Sequence, residues 1–167
     1  RWPSDSPPTL RRQRQVGIRD RANLEATIHR ALELGINHIE TARGYGSSEM
    51  QLGFVLPRLP RDGIIVQTKI APFATQKEFL DTFDKSMSQL QLDHVDLLSL
   101  HGINNAQFLD WSLCKGGCVE TIHKLIDEGR VRHLGFSSHT PAHIIRQASE
   151  SDAFQYVNLH WDLLNDL

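Results

Sequence analysis

Four side chains in the first 101 positions are suited to moving a proton at a carbonyl group: Glu40, Tyr45, Lys69 and His101. Three of them close apolar runs. Ile36-Asn37-His38-Ile39 leads into Glu40, Ile64-Ile65-Val66-Gln67-Thr68 into Lys69, and Val95-Asp96-Leu97-Leu98-Ser99-Leu100 into His101. Tyr45 stands between Gly44 and Gly46 in the turn that follows Glu40. In parallel α/β proteins the C-terminal ends of the strands share one face, so an acid, a phenol, an amine and an imidazole would converge there. Reducing a carbonyl by hydride builds negative charge on its oxygen, and a proton donor beside that oxygen stabilises the transition state. Tyr45 is the candidate donor, but a free phenol titrates near pH ~10. A lysine cation alongside would lower that value, and a carboxylate would hold the lysine charged and in place. His101 could orient the carbonyl through a hydrogen bond. Taken singly, Tyr45 also reads as a loop tyrosine and His101 as a core histidine, whereas a lysine at a buried strand end is costly without a partner.

The stretch Glu40-Thr41-Ala42-Arg43-Gly44-Tyr45-Gly46, with Lys69 and His101, resembles the catalytic tetrad of the aldo-keto reductases. The resemblance covers residues 22–165 and implies strands two to six of an (α/β)8 barrel, an NADPH cofactor and a small-molecule carbonyl substrate. It assigns Tyr45 as general acid, Lys69 as the cation beside it, Glu40 as the carboxylate holding Lys69, and His101 as the orienter of the substrate. Glu40 stands where that family usually has Asp, so the charge is kept and displaced by one methylene. Ser137, Ser138 and Asn158 match the positions that hydrogen-bond the nicotinamide carboxamide, where the family more often has Ser-Asn and Gln. Trp111 falls in the loop after His101, where similar enzymes line the substrate pocket with aromatics.

Two rival readings belong to other classes. A barrel-derived sheet could serve interaction or regulation without catalysis. Alternatively His101, His139 and His160, all at or near strand ends, could bind Zn²⁺ and activate water for hydrolysis. The metal reading is the weaker, because such hydrolases commonly add a carboxylate and closely spaced ligands on the first strand, and neither is seen. Cys114 and Cys118 do not have zinc-knuckle spacing, and no metal site is expected.

The elements that must position these residues follow from pattern. Residues 1–21, proline-rich and then basic, read as a loop or disordered arm, and 22–167 as the barrel domain. Asn23 is a candidate cap for a helix stopped by Gly35, followed by strand 36–40. A helix fits Ser48 to about Val55, ended by Pro57 and Pro60, and strand 64–68 comes next. Thr75 and Glu78 form a capping box before a helix with Phe79, Phe83, Met87 and Leu90 on one face. Strand 95–100 precedes a loop over 101–117, then a helix carrying Ile122 and Leu125 to a stop at Gly129. Strand 131–136, a cap at Thr140-Pro141 and strand 154–160 complete the alternation. Such alternation with short loops predicts a parallel sheet with right-handed crossovers, and the lack of GxGxxG after any strand argues against a Rossmann fold.

Composition bounds the partners. Net charge is −2, which gives no electrostatic case for nucleic acid or an anionic membrane. The apolar runs fall short of the ~20 residues of a membrane span, and two cysteines without a signal-peptide pattern set a reducing, cytoplasmic expectation. A full barrel takes ~250 residues, so 167 predict a partial TIM-type barrel of about five strands. Five strands cannot close, and edges at 36–40 and 154–160, with interior residues such as Ile39 and Leu98 poorly covered, predict self-association.

Overall fold

The computed structural model describes the backbone of residues 8–159 and the side chains of residues 21–159. The chain divides between Asn37 and His38 into two units.

The first unit is helix α1 (Pro8–Glu33) and its exit. The exit is a Schellman motif: Gly35 takes φ +82°, its N–H donates to Leu32 O at 3.0 Å, and Ile36 N–H donates to Ala31 O at 2.9 Å. The predicted stop at Gly35 is therefore met. The irregular arm is not seen over residues 8–21, which are helical, and Asn23 lies inside α1 with its carbonyl accepting from Thr27 Oγ1 at 2.7 Å. Arg and Gln are good helix formers, so a basic stretch without apolar periodicity still carries helical preference. Residues 1–7 lie outside the described residues.

The second unit is a half-barrel. Its strands are β1 (His38–Glu40), β2 (Ile65–Ile70), β3 (Val95–Leu100), β4 (Val131–Ser138) and β5 (Tyr156–Leu159), all parallel and in spatial order of sequence. The connections carry α2 (Ser48–Leu52), α3 (Gln76–Leu90), α4 (Ala106–Leu113), α5 (Cys118–Asp127) and α6 (Ala142–Ser149). Period-two alternation divides the sheet. Val66, Ile70, Leu98, Leu100, Leu134 and Phe136 form one face of the core, sharing it with the buried Phe79, Phe83 and Leu90 of α3 and Ile122 and Leu125 of α5. The concave face carries His38, Glu40, Gln67, Lys69, Ser99 and Asn158, joined by hydrogen bonds. Leu98 is therefore fully buried on the helix side, contrary to the expectation of an uncovered apolar interior. The near-continuous apolar run of β3 concealed this alternation.

Local chemistry explains the boundaries. Thr75 Oγ1 accepts from Glu78 N at 3.3 Å, the expected cap at the start of α3, while the Glu78 carboxylate meets the Thr75 hydroxyl at 2.7 Å in place of the backbone N–H that a capping box would use. Gly129, at φ +73°, ends α5 in a second Schellman turn. The segment predicted as loop over 101–117 contains α4, capped by Asn105 Oδ1 accepting from Phe108 N at 2.8 Å. Its periodicity is weak because Ser112 is its one buried residue. Thr140 does not cap α6: its hydroxyl donates to Asn104 O at 2.8 Å, which ties the end of β4 to the loop after β3.

Candidate active site

Glu40 ends β1, and Lys69 lies near the end of β2, two residues past the register partner of Glu40. Both side chains rise from the concave face. Lys69 Nζ donates to Glu40 Oε1 at 2.5 Å and to Tyr45 OH at 3.3 Å, and stands 5.1 Å from the centroid of the Tyr45 ring. The lysine side chain is 4% exposed whereas Tyr45 is 50% exposed, so a buried amine supports a phenol that opens to solvent. His101 meets the Tyr45 ring edge-on, centroids 5.6 Å apart at 86°, and its backbone N–H is anchored to Ile70 O at 2.7 Å. Burial pushes the His101 imidazole below its ordinary value, the Lys69 cation and His139 add to this, and Glu40 opposes them. A neutral imidazole near pH 7 has one N–H to donate and one nitrogen to accept.

The loop that delivers Tyr45 is held from beneath. Thr41 N–H donates to Gln67 O and Arg43 N–H to Lys69 O, each at 2.9 Å, which extends the β1–β2 pairing into the loop. Arg43 Nη1 donates to Glu49 Oε2 at 2.7 Å and to Gln89 Oε1 at 2.5 Å, and Thr68 Oγ1 donates to Glu49 Oε1 at 2.7 Å. Glu49 is 1% exposed. Sequence reasoning missed this clamp. The signal available was an arginine and a glutamate flanking a glycine-bounded turn, which is weak alone because such pairs are usually solvated.

Among the other expected site residues, Ser137 and Asn158 are register partners on neighbouring strands. Ser137 Oγ accepts from Gly102 N at 3.0 Å, which leaves the hydroxyl proton to donate. Asn158 turns its amide nitrogen to Glu40 Oε2 at 3.4 Å. Ser138 is 1% exposed, and its hydroxyl is given to Ile103 O at 2.8 Å, holding the loop after β3. Trp111 packs on Phe108 within α4, with centroids 5.5 Å apart. His160 lies outside the described residues, and among those described no three His, Cys, Asp or Glu side chains converge as a metal site. Tyr156, the second tyrosine of the chain, faces the concave side, where burial holds its phenol well above the usual range and Ser99 Oγ, at 3.1 Å, opposes that. A Cβ on Gly135 would fall 2.5 Å from the Tyr156 ring, so only glycine admits that ring. No helix of the described residues is long and apolar enough to cross a membrane.

The donor set also fits a primary carboxamide such as that of nicotinamide. Its carbonyl could accept from the Ser137 hydroxyl and the Asn158 amide, both on the strand-end rim beside Lys69.

Comparison with known proteins bears on this geometry. A sequence profile of the Aldo/keto reductase family matches residues 13–167. The chain is 34% identical over 121 residues to an L-galactose dehydrogenase of Arabidopsis thaliana, covering 67% of this chain and 37% of that protein. It is 36% identical over 92 residues to an aldose reductase of Encephalitozoon cuniculi, covering 51% and 30% respectively. Among solved structures, an aldo-keto reductase of Bacillus halodurans in its holo form superposes with TM-score 0.71 at 25% identity, over 84% of this chain and 49% of that one. One from Klebsiella pneumoniae in complex with NADPH superposes with TM-score 0.68 at 23% identity, again over 84% and 49%. The chain thus spans half the length or less of these relatives.

Proposed function

This chain belongs to the aldo/keto reductase family, and from that premise we propose that it serves the NADPH-dependent reduction of the carbonyl of a small aldehyde or ketone. The observation that carries the reading is Lys69 Nζ set between Glu40 Oε1 and Tyr45 OH at 2.5 and 3.3 Å. Tyr45 donates its hydroxyl proton to the carbonyl oxygen as negative charge develops there. Lys69 stabilises the phenol oxygen as the proton leaves, and Glu40 keeps the lysine aimed at it. The neutral His101 ring supplies a second hydrogen bond to the same carbonyl oxygen, fixing its approach. Ser137 and Asn158 hold the carboxamide of the cofactor, which when bound supplies the hydride. Trp111 is assigned to the substrate side by resemblance alone.

The cofactor is supported by the family and by the carboxamide-compatible pair. The names of two relatives make aldose sugars the first substrates to try, beside simple aldehydes. A cytoplasmic setting is part of the same reading, supported by two cysteines that are both unbridged. Self-association is supported by Val157 and Leu159, 40% and 43% exposed on the edge strand β5. The test is to follow NADPH consumption across a panel of aldoses, aldehydes and ketones, with NADH as comparison. Carbonyl-dependent oxidation of NADPH is expected, and binding of NADPH without turnover on any carbonyl would instead favour a non-catalytic role.

A further inference from the structure

A polar side chain in the middle of a buried strand is expensive unless every hydrogen-bonding group is met. Gln67, fully buried at the centre of β2, meets that condition by touching three other strands. Its Oε1 lies 3.0 Å from His38 Nε2 on β1, and its Nε2 donates to Ser99 Oγ on β3 at 2.9 Å and to Asn158 Oδ1 on β5 at 2.7 Å. It stands two residues before Lys69, on the same face of the strand.

The direction of these bonds follows from their end point. The carboxylate of Glu40 only accepts, so Asn158 presents Nδ2 to Glu40 Oε2. That leaves the acceptor Oδ1 facing Gln67, which must answer with Nε2. Gln67 Oε1 is then left to accept from His38, which places a proton on Nε2 of that ring. Every donor in the series His38, Gln67, Asn158 points toward Glu40. The last link is the longest, at 3.4 Å, and it holds only if the Asn158 amide cannot turn. Gln67 prevents the turn, and Ser99 Oγ, at 3.3 Å from the same Oδ1, reinforces it. Glu40, whose side chain is 39% exposed, is thereby tied through both oxygens, one to Lys69 and one to Asn158.

We infer that Gln67 is a positioning residue: by locking the Asn158 amide it fixes the carboxylate that aims Lys69 at Tyr45. The inference rests on the proposed reductase reading for its effect on rate, while the relay itself can be observed without turnover. Gln67→Met keeps length and removes the polar ends. Gln67→Glu keeps shape but turns an acceptor toward Asn158 Oδ1. Both are expected to lower kcat by about tenfold or more with KM for the carbonyl within about twofold, the glutamate being the worse, as a displaced catalytic group costs rate rather than ground-state binding. Independently, on the chain without substrate, Glu40→Gln should shift the side-chain amide resonances of Asn158 in the wild-type background and cease to do so in Gln67→Met. Full kcat in both Gln67 variants, or Asn158 resonances that answer to Glu40→Gln equally in either background, would overturn the inference. If the unsubstituted protein reduces no carbonyl, the proposed function fails, and the resonance comparison still decides the relay.

Discussion

Lys69 reaches Glu40 Oε1 at 2.5 Å although the lysine side chain is almost wholly buried and the glutamate side chain is 39% exposed. The asymmetry assigns the roles. The amine cannot find water if its partner is lost, whereas the carboxylate can. The longer Glu, in place of the Asp usual at this position in the family, still delivers its oxygen to the lysine and leaves the second oxygen to meet Asn158 across the concave face. Glu40→Ala should therefore destabilise the protein by about 1 kcal/mol, kept modest by the exposure of the glutamate. Glu40→Asp should cost less. Urea unfolding of the two variants measures the order, and an alanine variant as stable as the parent would show that the Tyr45 hydroxyl, 3.3 Å from Nζ, is partner enough for the buried amine.

The Arg43–Glu49 pair makes a stronger demand on stability. Glu49 is 1% exposed, and removing Arg43 leaves its carboxylate buried with Thr68 Oγ1 as its remaining partner of those named above. Arg43→Met is expected to destabilise by about 3 kcal/mol, and Arg43→Met with Glu49→Gln to recover much of that loss. Guanidinium unfolding of the single and double variants reads the coupling. Additive losses would mean that the two side chains act separately.

Stability should fall in two steps as pH is lowered. Burial, with Arg61 and Arg132 beside it, holds His94 below its ordinary 6.5 against the pull of Asp96 and Asp93, and His101 is lowered in the same sense. The unfolded chain then binds protons that the folded one refuses, so stability is full above about pH 7 and declines as pH falls below 6.5. Burial raises Asp96, but the Val66 N–H and the Arg61 and Arg132 cations outweigh it, and its carboxyl lies below the usual 3.8. Its contribution is present above 3.8 and is lost as pH falls through the lower folded value. Melting temperatures from pH 8 to 3 should show both declines, with the first reduced in His94→Gln. A melting temperature flat from pH 7 to 5 would contradict the histidine part.

Much of this was legible in the chain, for identifiable reasons. Glycines at positive φ, such as Gly35 and Gly129, and the capping pair Thr75 and Glu78 act through neighbours in sequence, so they marked the ends of elements correctly. Glu40, Tyr45 and Lys69 could be brought together because parallel strands align their C-terminal ends. What escaped depends on contacts distant in sequence. Nothing in Gln67 or Asn158 alone shows a bond between residues 91 apart, and nothing in Ser138 shows that its hydroxyl is taken by Ile103. The two turns of α4 escaped because a helix lying mostly on the surface needs no apolar stripe. Leu98 was expected in the barrel interior, because the near-continuous apolar run of β3 does not show which of its residues turn toward the helices.

In the proposed reaction Tyr45 donates the proton, and Tyr45→Phe removes that proton while leaving the ring in place. The variant should reduce carbonyls about a thousandfold more slowly, within the range general acid catalysis supplies. Its affinity for NADPH, read from fluorescence titration, should be within about twofold of the parent, because the hydroxyl serves the developing alkoxide rather than the grip on the cofactor. A Tyr45→Phe protein that binds NADPH normally and turns over carbonyls at the parent rate would contradict the account.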